Sequence, residues 1–201
     1  MSYADLMTSL FLLMLVLFAI TTYVLVERTR KTEARLKEIT SIEQSIRSLP
    51  RRYFTYDSTY KRHQLNMQVR FANKSEEILA EYQPALVDVG RVLEDSVQAI
   101  RRKYGDRVKF TLLIEGMSSN VPYGTLQCPE SKWEDNYTLS YRRALSLVEL
   151  WNANNVSFDP TYCDVQIAGS GTGGLGRYSG SQERQNQRFL IQILPKVGDL
   201  E

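Results

Sequence analysis

The most constraining feature of the chain is an uninterrupted apolar run from Leu6 to Val26, LMTSLFLLMLVLFAITTYVLV, with no charge, glycine or proline. A helix needs about 20 such residues to cross the hydrocarbon core of a bilayer. A buried soluble helix would carry a polar face, and this run has almost none. It is also too long for the apolar region of a cleaved signal, has no basic region before it, and is followed by no small-x-small cleavage site. The sequence therefore predicts a transmembrane helix over residues 1–26. With one segment set aside for the bilayer, the 201-residue chain retains material for one ordinary domain.

Asp5 stands at the edge of the apolar run, within Ser2-Tyr3-Ala4-Asp5. Two roles suit it. A carboxylate in a first helical turn complements the helix dipole at a membrane surface. It could instead be a proton carrier, since apolar surroundings favour the protonated form of an acid, and Thr8 and Ser9, one turn on, could share a hydrogen bond or line a pore; the physics of the position alone favours the dipole role. The basic residues Arg28, Arg30, Lys31, Arg35 and Lys37 all follow the run. By the positive-inside rule they place the C-terminal bulk in the cytoplasm. A natural basic leader upstream of Met1 would reverse that count.

Residues 27–62 read as a helical neck and linker. Leu36, Ile39, Ile42, Ile46 and Leu49 recur at steps of three and four, and Glu27/Lys31 and Glu33/Lys37 are spaced for i,i+4 pairing. The stripe suits either packing on the chain's own domain or a short parallel coiled coil joining two copies. Pro50 ends it, and the aromatic, basic stretch 51–62 reads as a connector.

Residues 63–201 carry the α/β pattern. His63–Phe71 alternates as a strand. Pro84 opens a helix whose apolar face is Leu86, Val89, Leu93, Val97 and Ile100. Val108–Ile114 is a strand rich in apolar and β-branched residues. A polar loop of about twenty residues follows, long enough to suggest a functional role. Leu139–Trp151 is a second helix, and Val165–Ala168 and Phe189–Leu194 are strands. The order β-α-β-α-β-β implies an α/β sandwich with its helices on one face or end of the sheet.

The chemistry classes this part excludes are informative. Gly169-Ser170-Gly171-Thr172-Gly173-Gly174 matches GxGxxG after a strand. The polar stretch behind it shows no amphipathic helix and no acidic residue suited to a ribose, so a loop between strands is expected, not a dinucleotide site. There is no Walker lysine, no nucleophile elbow and no His–carboxylate arrangement, and Glu115 and Glu183 could pair only through the fold. No enzyme, cofactor or metal is expected. His63 is the chain's one histidine and cannot complete a zinc set with Cys128 and Cys163. In an oxidising compartment those cysteines could form a disulfide; in the cytosol they would be ordinary thiols. A net charge of +2 argues against a nucleic-acid partner.

Two stretches carry a resemblance. Asn136-Tyr137-Thr138-Leu139-Ser140-Tyr141-Arg142-Arg143-Ala144 resembles the N-x-x-L-S-x-x-R-A motif of OmpA-like domains. Arg184-Gln185-Asn186-Gln187-Arg188-Phe189 resembles their closing R-x-N-R-R-V motif, and Gly116 falls where the family has its G-x-T-D turn. The resemblance spans roughly residues 63–196 and implies peptidoglycan binding, in which a loop Asp and a helix Arg grip the diaminopimelate of the stem peptide. Arg143 matches that arginine, and a guanidinium suits a bidentate carboxylate. The family's acid falls at Ser119. Here the turn reads Gly116-Met117-Ser118-Ser119-Asn120, so a grip would fall to Ser119, Asn120 or a displaced Asp135. Asn136 and Arg188 complete the implied set, with fold support by hydrogen bonds to loop carbonyls as the other role for Arg143 and Arg188.

Ser2-Tyr3-Ala4-Asp5-Leu6-Met7-Thr8 also resembles the Y-A-D-x-M-T start of the membrane helix in MotB-type stator subunits. In that family the Asp carries the ion and an OmpA-like domain follows a linker. The resemblance implies a homodimer in the bacterial inner membrane, a periplasmic C-terminal domain, and a MotA-like partner with several membrane helices. It also implies a motor of the flagellar kind or of the Zorya-type phage-defence kind. A passive tether between membrane and wall, and a cytoplasmic interaction domain, are the competing readings.

Overall fold

The computed structural model describes residues 3–72, 75–105, 108–119 and 133–197. The chain divides into two compact units, Met1–Ser41 and Ile42–Glu201. Helix α1 runs without a break from Tyr3 to Arg47, so membrane run and neck are one helix. No glycine or proline separates them. The helix is long and apolar enough to cross a membrane. Its large side chains from Leu6 to Val26 are exposed on every side. Lys31 pairs with Glu27 at 3.6 Å, as the spacing predicts.

In the second unit a five-stranded sheet has the order β1-β2-β5-β3-β4, with β1 Phe54–Asp57, β2 Arg62–Leu65, β3 Val108–Gly116, β4 Cys163–Gly169 and β5 Phe189–Val197. Only β3 and β4 are parallel; the other pairs are antiparallel. Parallel neighbours need a crossover, and here it is α3, Trp133–Ala153. Helix α2, Gln83–Tyr104, precedes β3. Every residue of the predicted α2 face, Leu86, Val89, Leu93, Val97 and Ile100, is buried. On β3 the alternate residues Val108, Phe110, Leu112 and Ile114 are buried in the same core. The two helices meet where Gly90 leaves room for the Trp151 ring, whose indole N–H donates to the Leu86 carbonyl at 2.8 Å.

Several boundaries differ from expectation, each for a physical reason. The aromatic connector contains β1, hydrogen-bonded to β2 as a hairpin. Its turn is closed by Asp57, whose carboxylate accepts the amides of Thr59 and Tyr60, a local cue that aromatic residues around it obscure. The strand predicted over His63–Phe71 keeps its inward alternation, with His63, Val69 and Phe71 buried, but its ladder stops at Leu65. Phe71 makes only an isolated bridge to Ile78. Helix α3 starts at Trp133, six residues before the helix expected from Leu139. Strand β5 passes through Pro195. Phe110, opposite it, sends its amide to Tyr162 on the β4 side. Pro195 therefore needs no donor towards β3, and its ring faces the edge that β2 has already left. The lower part of the neck stripe, Ile42, Ile46 and Leu49, belongs to the core of this unit. The expected polar stretch 177–187 contains a 3-10 helix, Gly180–Asn186.

Candidate functional site

The C-terminal ends of parallel strands are where open α/β sheets place ligands, and the resemblance motifs converge there. Gly116 and Gly169 sit opposite each other in the β3–β4 register. Both exist to admit α3. A Cβ on Gly116 would lie 3.0 Å from the Ser140 carbonyl carbon, closer still to its oxygen, and 3.3 Å from the Ala144 nitrogen. One on Gly169 would lie 2.6 Å from Ser140 Oγ and 2.8 Å from the Tyr137 oxygen. The motif serine fastens the approach: its Oγ donates to the Tyr137 carbonyl and accepts the Gly171 amide, each at 2.8 Å. The glycine-rich segment lies between β4 and β5 and packs against α3.

One turn beyond Ser140, Arg143 is 3% exposed. Its Nε donates to the Ser75 carbonyl at 3.1 Å, and its guanidinium lies 4.3 Å over the Phe71 ring. Its Nη1 is buried and makes no hydrogen bond. Burial lowers the group to about 10, with Glu76 opposing the shift, so it stays charged at neutral pH. Glu76 itself faces the exposed Arg142 at 3.8 Å. Chemically, a buried guanidinium with an unused N–H can hold a carboxylate.

The turn after β3 supplies the other wall. The Ser118 amide donates to the Gly171 carbonyl at 3.0 Å, and Ser118 Oγ is buried with no hydrogen bond. Hydrogen bonds therefore link Ser118, Gly171 and Ser140. Ser119 and Asn136 are half-buried. Asn120 and Cys128 lie outside the described residues. Cys163 is buried on β4, where loss of solvent pushes its thiol up to about 11.

The closing motif holds loops. Asn186 is fully buried and exchanges two hydrogen bonds of 2.9 Å with the Tyr178 backbone. Arg188 donates to Gln64 Oε1 and to the Gly176 carbonyl, each at 2.7 Å, and packs over Tyr178. Its two terminal nitrogens are thus engaged inside the protein. Sequence reasoning did not single out two further arginines. Arg177 donates to the carbonyls of Gly171, Gly173 and Ser118 and pairs with Glu183 at 2.7 Å. Arg62 donates to the Leu175 carbonyl and lies 3.7 Å from Glu115. Glu115 and Glu183 are therefore partners of different arginines, not of each other. No local sequence pattern marks Arg62 or Arg177; apart from Glu115 and Glu183, their partners are backbone carbonyls more than fifty residues away in the chain or supplied by the glycine loop.

On α1, Thr8 Oγ1 donates to the Ala4 carbonyl and Ser9 Oγ to the Asp5 carbonyl, each at 2.8 Å. Both hydroxyls are bonded to their own helix, as is common in apolar helices.

No family model matches the chain, and no curated protein sequence matches it. Solved structures do. The chain is similar to the OmpA-like domain of FopA1 from Francisella tularensis, at 15% identity and a TM-score of 0.45 over 71% of this chain and 77% of that one. It is similar to an outer membrane protein from Borrelia burgdorferi, at 20% identity and 0.44 over 70% and 96%. It is also similar to a MotB-like protein from Desulfovibrio vulgaris, at 14% identity and 0.43 over 87% and 94%.

Proposed function

We propose that this chain is a MotB-like, wall-anchored subunit of an ion-driven complex in a bacterial inner membrane. In this reading α1 crosses the bilayer once, Asp5 carries the proton, and the C-terminal domain is periplasmic and binds peptidoglycan through Arg143. The observation that carries the reading is the placement of two motifs on one chain. A Y-A-D-L-M-T start heads an apolar helix exposed all round. The N-x-x-L-S-x-x-R-A motif delivers a buried guanidinium with an unused N–H to the ends of the parallel strands. That pairing outweighs the basic flank after the helix, which taken alone favours the opposite orientation. Solved relatives of similar fold include a peptidoglycan-associated lipoprotein from Burkholderia pseudomallei and the C-terminal domain of Helicobacter pylori MotB.

A single helix cannot enclose an ion path, so the reading requires a homodimer and a partner with several membrane helices. Purification from membranes in mild detergent, followed by mass spectrometry, should recover such a partner in excess over this chain. Asp5→Asn keeps shape and insertion but removes titration, and should abolish proton flux in reconstituted vesicles at unchanged expression. Recovery of this chain alone, with Asp5→Asn behaving as wild type, would leave a passive tether between membrane and wall. Isolated sacculi should pull down the wild-type protein; failure to do so would remove the wall from the reading.

A further inference from the structure

We propose that His63 is an acid-sensitive latch: its neutral ring holds the segment Ile42–Leu49 against the sheet, and proton uptake by that ring releases the segment. His63 is the single histidine of the chain and sits on β2, opposite Tyr56 of β1 and Ile191 of β5. It is 1% exposed, and neither ring nitrogen makes a hydrogen bond of acceptable geometry. Phe54 packs edge-on at 6.0 Å between centroids and Tyr56 at 4.9 Å. A buried imidazole whose nitrogens make no well-formed hydrogen bond is unusual, because buried polar groups are nearly always satisfied. It suits a ring that must be neutral in one state and wet in another.

The element closing over the ring is the end of α1. The Ile46 backbone carbonyl faces His63, and Ile42, Ile46 and Leu49 are each at most 5% exposed in the same core. Arg47 of the same turn lies 5.4 Å over the Tyr56 ring. The charged and titratable groups around the ring are few. From α1 come Glu43 and Arg47, paired to each other at 3.2 Å. From β1 come Tyr56 and Asp57, the latter occupied by backbone amides and Gln64. From β2 comes Arg62, facing Glu115, and β5 presents Leu190 and Ile191. Among the described residues no carboxylate stands within ion-pair distance of His63. A proton on the ring would be a buried charge with one backbone carbonyl to receive it; Arg47 is half-exposed, and Arg62, the neighbour of His63 along β2, turns to the other face of the sheet towards Glu115.

Burial accordingly lowers His63 from 6.5 to about 4, and the Ile46 carbonyl offsets that only in part. The direction fixes the window. A base whose value falls on docking is docked with full strength above about 6.5 and loses that strength as pH falls towards about 4. At pH 5 the released state should gain roughly 30-fold over the docked one relative to pH 7.5.

Hydrogen exchange on the full chain in detergent tests this. After correction for intrinsic rates, the peptide covering residues 42–54 should open roughly 30-fold more at pH 5 than at pH 7.5, while β3 and β5 peptides hold their protection. His63→Phe, which fits among the aromatic neighbours, should abolish the difference. An equal rise across β3 and β5, no rise at all, or a rise that persists in His63→Phe would each overturn the latch. If that variant does not fold, the C2 proton of the single histidine decides by NMR in the wild type. A midpoint below 5 is expected, and one near 6.5 with the domain folded refutes the proposal.

Discussion

Gly116→Ala is the sharpest probe of how the candidate site is built. The added methyl would press on the Ser140 carbonyl oxygen and stand 3.0 Å from its carbon and 3.3 Å from the Ala144 nitrogen. All three are main-chain atoms of α3, so no rotamer change can clear them. The helix must retreat from β3 by about an ångström, a gap that forfeits a quarter to a half of each van der Waals contact it opens. The contacts at stake are those of Ala144, Leu147 and Trp151, each at most 1% exposed. Overpacking of this kind costs roughly 1–3 kcal/mol, and a rigid backbone neighbour puts Gly116→Ala at about 3. For a domain of this size that lowers Tm by roughly 6–12 °C, readable as loss of near-UV circular dichroism on heating the detergent-solubilised chain. Gly180→Ala is the control. Gly180 has φ +61 with nothing within 4 Å of its added methyl, so it meets only the left-handed penalty of about 1 kcal/mol. Sacculus binding should fall with Gly116→Ala as well, because Arg143 moves with the helix. If Gly116→Ala melted no earlier than Gly180→Ala, the close approach of α3 to the strand ends would be wrong.

Three other outcomes follow from the same geometry. Arg143→Ala strands the Ser75 carbonyl and opens a cavity beside Phe71, so urea denaturation should show a loss of about 3 kcal/mol; Arg142→Ala, removing an exposed 3.8 Å pair with Glu76, should stay within about 0.5 kcal/mol. Asn186→Ala removes both ties to Tyr178 and should cost about 2 kcal/mol in the same assay. In a Cys128→Ser background the Cys163 thiol, buried and raised to about 11, should resist maleimide at pH 8 and react only under denaturing conditions; ready labelling of the folded protein would contradict its place on β4.

Much of the architecture is written locally. The apolar run follows from its length and lack of charge, the five-residue face of α2 from its periodicity and β3 from its apolar, β-branched composition, none of which needs knowledge of what lies opposite. The same holds for reading the glycine-rich segment as a loop, since the stretch behind it lacks the features of a nucleotide site. Three things lay beyond local pattern. Strand β1 exists because β2 pairs with it, and its aromatic residues looked equally suited to a connector. Pro195 sits inside β5 because the pairing phase turns its missing donor away from β3. The motif residues Gly116, Ser140 and Arg143 were legible as a set, but their division of labour was not. Sequence order placed them 24 and 27 positions from the first to the others; only the crossing of α3 over two facing glycines makes one a gap, one a clasp and one a buried cation. Periodicity specifies which face of an element is turned inward, whereas the role of a side chain depends on which backbone atoms the rest of the chain brings within hydrogen-bonding reach of it.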